Sequence, residues 1–200
     1  MINPKDIINF RRDQKELEEF MLFCVLVAGK NSQTQAEKLE GFLKDIGKVY
    51  HETCRLYCSW YRERATWFEI MRRVEFVGFL RKHKLGQYNR IERAFKKLIH
   101  LDMETVTLEE LVEIPGVGNK TARFFLMFTR PNQRFAVLDT HVLKFLRDRG
   151  YNVPKSTPNK NHYQKWEEVY LKLADESGMT LPEFDLSIWT KYNEKLDKAK

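Results

Sequence analysis

The stretch Leu108-Glu109-Glu110-Leu111-Val112-Glu113-Ile114-Pro115-Gly116-Val117-Gly118-Asn119-Lys120-Thr121-Ala122 decides how this chain folds. Leu108, Leu111 and Val112 carry the apolar spacing of a helix, and Pro115-Gly116-Val117-Gly118 stops it. A second helix then begins near Asn119. Gly116 and Gly118 permit backbone angles and close approach that a Cβ would forbid, so the N–H groups at the start of the second helix can point at an anion. A DNA phosphate suits them, approached along Gly116, Val117, Gly118, Asn119 and Thr121.

Outward from this hairpin the pattern stays helical. Arg123 to Met127 continues the second helix as a buried segment that ends at Thr129-Arg130-Pro131-Asn132. Arg134 to Leu138 reads as a short apolar extended piece that delivers Asp139. Thr140 to Arg149 is helical again, with Val142, Leu143 and Leu146 inward, and Gly150 stops it. Asn152 to Asn161 is a polar surface loop, and helices over 162–177 and from Leu181 or Pro182 to about Leu196 follow. Upstream, a helix from Asp13 or Gln14 is apolar on most of its circumference, through Leu17, Phe20, Met21, Leu22, Cys24, Val25 and Leu26, and is therefore expected to be buried. A polar turn over 28–35 opens a helix from Ala36 to Ile46, with Ser32 or Thr34 as its cap. Gly47 to Gly86 is dense in rings, among them Tyr50, Tyr57, Trp60, Tyr61, Trp67, Phe68, Phe76 and Phe79, expected mainly as core. Tyr88 to Ile99 is amphipathic, with a basic outer side.

The 200 residues are 42% apolar and 13% aromatic, with few glycines and prolines, which fits one mainly helical unit. The net charge is +7, and it is regional: residues 55–100 hold 12 Lys and Arg against 4 Asp and Glu, while the rest of the chain sums to −1. Such a patch, which includes Arg62, Arg72, Arg73, Arg81, Lys82 and Lys84, suits a partner with a regular negative backbone, and otherwise reads as a set of solvated helix faces. No apolar run is long enough to span a bilayer, and the N-terminus lacks a signal pattern, so the expected location is intracellular, in the cytoplasm or nucleoid, with no membrane partner. Three cysteines leave at least one unpaired. His51, Cys54 and Cys58 have no standard ligand spacing, so no metal is expected.

Ile114-Pro115-Gly116-Val117-Gly118-Asn119-Lys120-Thr121-Ala122 followed by Leu138-Asp139-Thr140-His141-Val142 resembles the signature of the HhH-GPD DNA glycosylases. The resemblance covers residues 14–190 in outline and is specific over 108–142. It implies an all-α fold of two helical lobes with a helix-hairpin-helix and a DNA cleft between them. The chain would be a single catalytic unit over 1–200, with lobe one about 31–134, including the hairpin at 108–122, and lobe two about 1–30 plus 135–200. It implies that Lys120 is the nucleophile and Asp139 the essential carboxylate, and that an amide from the 28–35 turn, Asn31 or Gln33, wedges into the space left by a flipped base. Many family members ligate an iron–sulfur cluster through four cysteines after the aspartate. No cysteine follows Cys58 here, so that cluster is excluded and no cofactor is expected. Glu183 to Trp189 resembles the closing helix of the cluster-free branch, similar to 8-oxoguanine DNA glycosylase/AP lyase, in which Phe184 or Trp189 would stack on the extruded base and Asp185 would bind it.

The implied activity is excision of a modified base from double-stranded DNA by a monomer, with strand cleavage through a lysine imine. An unperturbed lysine, pKa about 10.4, is protonated at neutral pH, so Lys120 needs desolvation, a neighbouring positive charge or a helix N-terminus. Asp139 would stabilise the positive charge growing on the sugar. The leading substrate is an oxidised purine such as 8-oxoguanine. The alternatives are a bulky modified pyrimidine of foreign or phage DNA, as in a defence role, or a non-catalytic hairpin module. On the residues alone, Lys120 also fits a phosphate contact and Asp139 an ordinary N-cap. Asn31 and Gln33 also fit turn chemistry, His141 fits either a phosphate contact or a structural place, and Phe184 and Trp189 also fit core positions.

Overall fold

The computed structural model describes residues 2–54 and 64–197, with side chains through Asn193. Tyr57, Cys58, Trp60, Tyr61 and Arg62 lie outside the described residues. Among those described, ten helices and no strand are found: α1 Gln14–Leu26, α2 Ser32–Thr53, α3 Trp67–Arg73, α4 Val77–Lys82, α5 Tyr88–Leu98, α6 Leu108–Val112, α7 Asn119–Thr129, α8 Thr140–Asp148, α9 Lys160–Ser177 and α10 Leu181–Asp197. The fold is all-α. By internal contacts the chain forms two compact units, one of Met1–Ile7 with Arg11–Gly118 and one of Ile8–Phe10 with Asn119–Lys200. This division differs from the expected lobe boundary near residue 134: α1 groups with the first unit, and residues 119–134 with the second.

In the first unit α1 is buried nearly all round, from Phe20 to Leu26, and packs on α2, α3 and α5. A capping box starts it: Asp13 Oδ1 accepts from the Glu16 N–H (2.8 Å), and Glu16 Oε2 accepts from the Asp13 N–H (3.0 Å). α2 begins earlier and ends later than its sequence suggests. Asn31, rather than Ser32 or Thr34, caps it by accepting from the Thr34 N–H (2.9 Å). Its interior Gly41 is a packing site: a Cβ there would lie 2.9 Å from the His83 ring. Tyr50, Phe68 and Phe76 are core residues as expected, and the basic side chains of Arg72, Arg73, Arg81, Lys82, Lys84, Arg93, Lys96 and Lys97 belong to exposed residues. Arg90 is the exception and turns inward.

In the second unit α10 packs on α7, α8 and α9. Leu138, Val142, Leu143, Leu146, Tyr163, Tyr170, Phe184 and Ile188 form its core. Residues 134–138, expected as an extended piece, form neither helix nor strand, and the Asp139 N–H donates back to the Val137 carbonyl (2.7 Å). The N–H groups of Ala136 and Leu138 donate to the α9 side chains of Glu167 and Tyr163.

Candidate active site

The hairpin follows directly from its residues. Thr107 caps α6 with a box to Glu110, and the turn closes when the Val117 N–H donates to the Ile114 carbonyl (2.9 Å). Gly116 has φ +97°, a left-handed angle that a side chain disfavours. A Cβ there would stand 2.8 Å from Arg90 Cγ and 3.1 Å from the Arg90 carbonyl. Gly118 differs: its surroundings hold no atom within 4 Å of a Cβ, so the protein's own packing does not demand a glycine there. Val117 is buried, at 3% exposure, and anchors the turn. Arg90 grips it, donating through Nη1 to the Gly116 carbonyl and through Nη2 to the Val25 carbonyl (2.9 Å each). Burial lowers the Arg90 pKa from its usual value.

Asn31 and Gln33 lie in this same unit. Asn31 is exposed, with its carbonyl committed to the α2 cap. Gln33 is exposed, and its amide donates to Glu37 Oε1 (3.1 Å). The turn beside them is held by Lys30, whose ammonium donates to the Leu85 carbonyl.

The second unit brings Lys120, Asp139, His141, Asp185 and Trp189 together. Lys120 is in the first turn of α7 and is half-buried. Asp139 is the N-cap of α8: its Oδ1 accepts from the N–H groups of His141 (2.8 Å) and Val142 (2.9 Å). Capping and an electrostatic role are therefore compatible, because one oxygen makes both caps. Asp185 is buried, at 7% exposure, and accepts through Oδ1 from the Tyr170 hydroxyl (3.0 Å). Burial and the negative charge of Asp139 push the Asp185 carboxyl up to about 8, against the opposing pull of Tyr170 and Lys120. Burial, with Asp185 beside it, holds the Tyr170 hydroxyl well above the ordinary tyrosine value.

The half-buried Trp189 meets the His141 ring edge-on at 6.4 Å. Phe184 is in the core, against Phe145 (5.6 Å) and Tyr170 (5.4 Å). Thr121 is buried at 5% exposure, and Asn119 accepts from Arg123 Nη1 (2.7 Å). Among the described residues, no group of three or more His, Cys, Asp and Glu is placed to hold a metal ion.

Sequence reasoning passed over Arg90, Arg123, Tyr163 and Glu167. Arg123 carried a faint signal, a charge inside the apolar run Ala122 to Met127, since a buried charge needs a partner. The partner, Glu167, is 44 residues away and has no spacing rule.

The chain is similar to known proteins in sequence and in fold. The sequence profile of the Ogg-HhH family, described as 8-oxoguanine DNA glycosylase, matches residues 4–179. An 8-oxoguanine DNA glycosylase/AP lyase of Picrophilus torridus is 24% identical over 188 residues, 90% of this chain and 80% of that protein. One of the same description from Thermotoga maritima is 35% identical over 85 residues, 42% of this chain and 40% of that protein. The crystal structure of Methanocaldococcus jannaschii 8-oxoguanine glycosylase/lyase in complex with 15mer DNA containing 8-oxoguanine is similar in fold, with a TM-score of 0.62 and 22% identity over 90% of this chain and 81% of that one. With its all-α fold, its hairpin and a family profile that spans most of its length, the chain belongs to the helix-hairpin-helix 8-oxoguanine DNA glycosylase family, enzymes of the DNA glycosylase and AP lyase class.

Proposed function

We propose that this chain excises 8-oxoguanine from duplex DNA and cleaves the strand at the resulting abasic site, with Lys120 as nucleophile and Asp139 as the stabilising carboxylate. The observation that carries this reading is that a first-turn lysine and an N-cap aspartate, 19 positions apart in sequence, share one compact unit around a buried carboxyl, Asp185, that senses both charges. The flipped nucleotide presents its anomeric carbon to the Lys120 amine. A C–N bond forms from that amine to C1′ as the bond to the base breaks, and the base leaves with the electron pair and takes up a proton. Asp139 balances the positive charge on the sugar. Opening of the sugar ring gives an imine, loss of a C2′ proton then expels the 3′ phosphate, and water releases the enzyme.

The hairpin N–H groups at Gly116 to Asn119 bind a DNA phosphate. Thr121, in the first turn of α7, is buried, which leaves the backbone at that helix start as the part that meets DNA. Gln33 is the better wedge, since Asn31 is tied to the backbone as the cap of α2, whereas the Gln33 amide is tied only to the exposed Glu37 side chain. Trp189 stacks on the base with His141 at its edge, and Asp185, protonated at neutral pH, donates a hydrogen bond to it. Phe184 supports Tyr170 from the core. The enzyme is proposed to act as a monomer.

Borohydride trapping tests the proposal. Incubation with duplexes carrying 8-oxoguanine, uracil, a glycosylated pyrimidine or no lesion gives a covalent adduct with 8-oxoguanine alone, and Lys120→Gln abolishes it. An adduct on another base would replace the substrate. Binding with neither an adduct nor an abasic site on any duplex would leave only a DNA-binding module.

A further inference from the structure

One buried group ties the helix that carries Lys120 to the segment that carries Asp139. Arg123 lies one turn after Lys120 on α7, and Glu167 is on α9. Arg123 Nε donates to Glu167 Oε1 (2.8 Å) and Nη2 to Oε2 (3.1 Å), with both residues 8% exposed. The third arm of the guanidinium, Nη1, reaches back to Asn119 Oδ1 (2.7 Å), the residue before Lys120. Glu167 Oε1 also accepts from the Ala136 N–H (2.8 Å), so a single carboxylate oxygen holds both α7 and the approach to Asp139.

Tyr163, one turn earlier on α9, completes the clamp. Its hydroxyl donates to the Ala136 carbonyl (2.8 Å) and accepts from the Leu138 N–H (3.0 Å). Its ring lies 4.4 Å beneath the Arg123 guanidinium. Thr157 Oγ1 donates to the Leu138 carbonyl (3.1 Å). The segment 136–138 is thus fixed by α9 and its preceding loop, without a partner strand, and ends at Asp139.

We infer that Arg123 and Glu167 are positioning residues that set the distance between Lys120 and Asp139. The inference rests on reading those two as the catalytic pair. A buried ion pair is weak evidence for stability, since apolar groups of similar volume often serve as well. What apolar groups cannot reproduce is a hydrogen-bonded pair that holds a helix start through Arg123 and the 136–138 segment through Glu167 at once. A displacement of about 1 Å between reacting groups costs on the order of a hundredfold in rate.

The test compares Arg123→Met, Arg123→Lys and Glu167→Gln with the wild type at a temperature where circular dichroism shows each folded. Single-turnover excision of 8-oxoguanine and borohydride adduct formation are measured, together with Kd for a duplex bearing a tetrahydrofuran abasic analogue. Arg123→Met is expected to slow both chemical readouts by about 30- to 100-fold while Kd changes by less than about threefold. Arg123→Lys recovers part of the rate, because an ammonium pairs with Glu167 but does not also span to Asn119. Glu167→Gln falls between them, because its amide oxygen still accepts from Ala136. If Arg123→Met does not fold, the two conservative variants decide by the same rate-against-Kd criterion. Folded variants with wild-type excision rates, or with losses that merely follow Kd, overturn the inference, since a purely structural pair lowers the melting temperature and leaves the folded enzyme's rate intact. Lys120→Gln is run in parallel: if it retains excision and adduct, the catalytic reading fails and the inference falls with it. If only Lys120→Gln is impaired, the inference alone fails.

Discussion

The hairpin turn and the segment that delivers Asp139 are both irregular and both end at the start of a helix, but they are held in different ways. The turn at Pro115–Gly118 is made by its own residues: a glycine at φ +97°, a buried valine and an internal hydrogen bond. One guanidinium, Arg90, grips it from α5. The 136–139 segment has one internal bond, from the Asp139 N–H to the Val137 carbonyl (2.7 Å), and is otherwise held by distant residues, through the Glu167 carboxylate and the Tyr163 hydroxyl on α9. A turn that offers backbone N–H groups to a phosphate needs only local shape. A carboxylate that must face a particular lysine needs reference points elsewhere in the chain.

Asp139→Asn breaks the comparison hardest. Asparagine caps as well as aspartate, so α8 should persist while the charge is lost. Excision is expected to fall by about 10²- to 10⁴-fold with an unchanged melting temperature, measured by single-turnover release of 8-oxoguanine. A large drop in melting temperature would mean that Asp139 serves mainly as a cap.

Gly116→Ala tests the other side. The left-handed angle and the approach to Arg90 should cost about 1–3 kcal/mol of stability, read by urea denaturation, and weaken duplex binding by about tenfold. The rate from bound substrate should change much less. If chemistry falls and binding holds, the turn is doing more than gripping phosphate.

Asp185 sharpens the electrostatic half. Its folded value of about 8 lies above the unfolded carboxylate value, so the stability it contributes is fully present below about pH 3.9 and is lost as pH rises through about 8. Thermal melts should decline over that window, with Asp185→Asn flattening the decline by at most about 1.4 kcal/mol per pH unit. An identical pH profile in the variant would show that Asp185 is not held protonated.

The smallest effect belongs to Asn31→Ala. Loss of the α2 cap should cost about 1 kcal/mol, visible in a melt. Excision should be nearly unchanged, whereas Gln33→Ala should slow it. The reverse pattern would return the wedge to Asn31.

Much of this enzyme was legible in its sequence because the information is local. Periodicity located the helices, and Ile114 to Ala122 with Leu138 to Val142 marked the hairpin and the two residues on which the proposed chemistry rests. The ends of α2 are the exception, because a cap and a glycine are ambiguous in one dimension: Asn31 caps the helix upstream of Ser32 and Thr34, and Gly47, which follows the expected end at Ile46, is carried inside the helix. The lobe boundary was likewise placed from pattern alone, whereas contacts draw it after Gly118.

The amino-acid order by itself determined the turn, the helices and the presence of a lysine and an aspartate at glycosylase spacing, since glycine angles, capping and helical period act over a few residues. Only the tertiary structure decided what surrounds them. The Arg123–Glu167 fork, Tyr163 beneath it and a buried Asp185 sensing Asp139 and Lys120 arise from burial and from residues tens of positions apart, where desolvation strengthens interactions that no local pattern encodes.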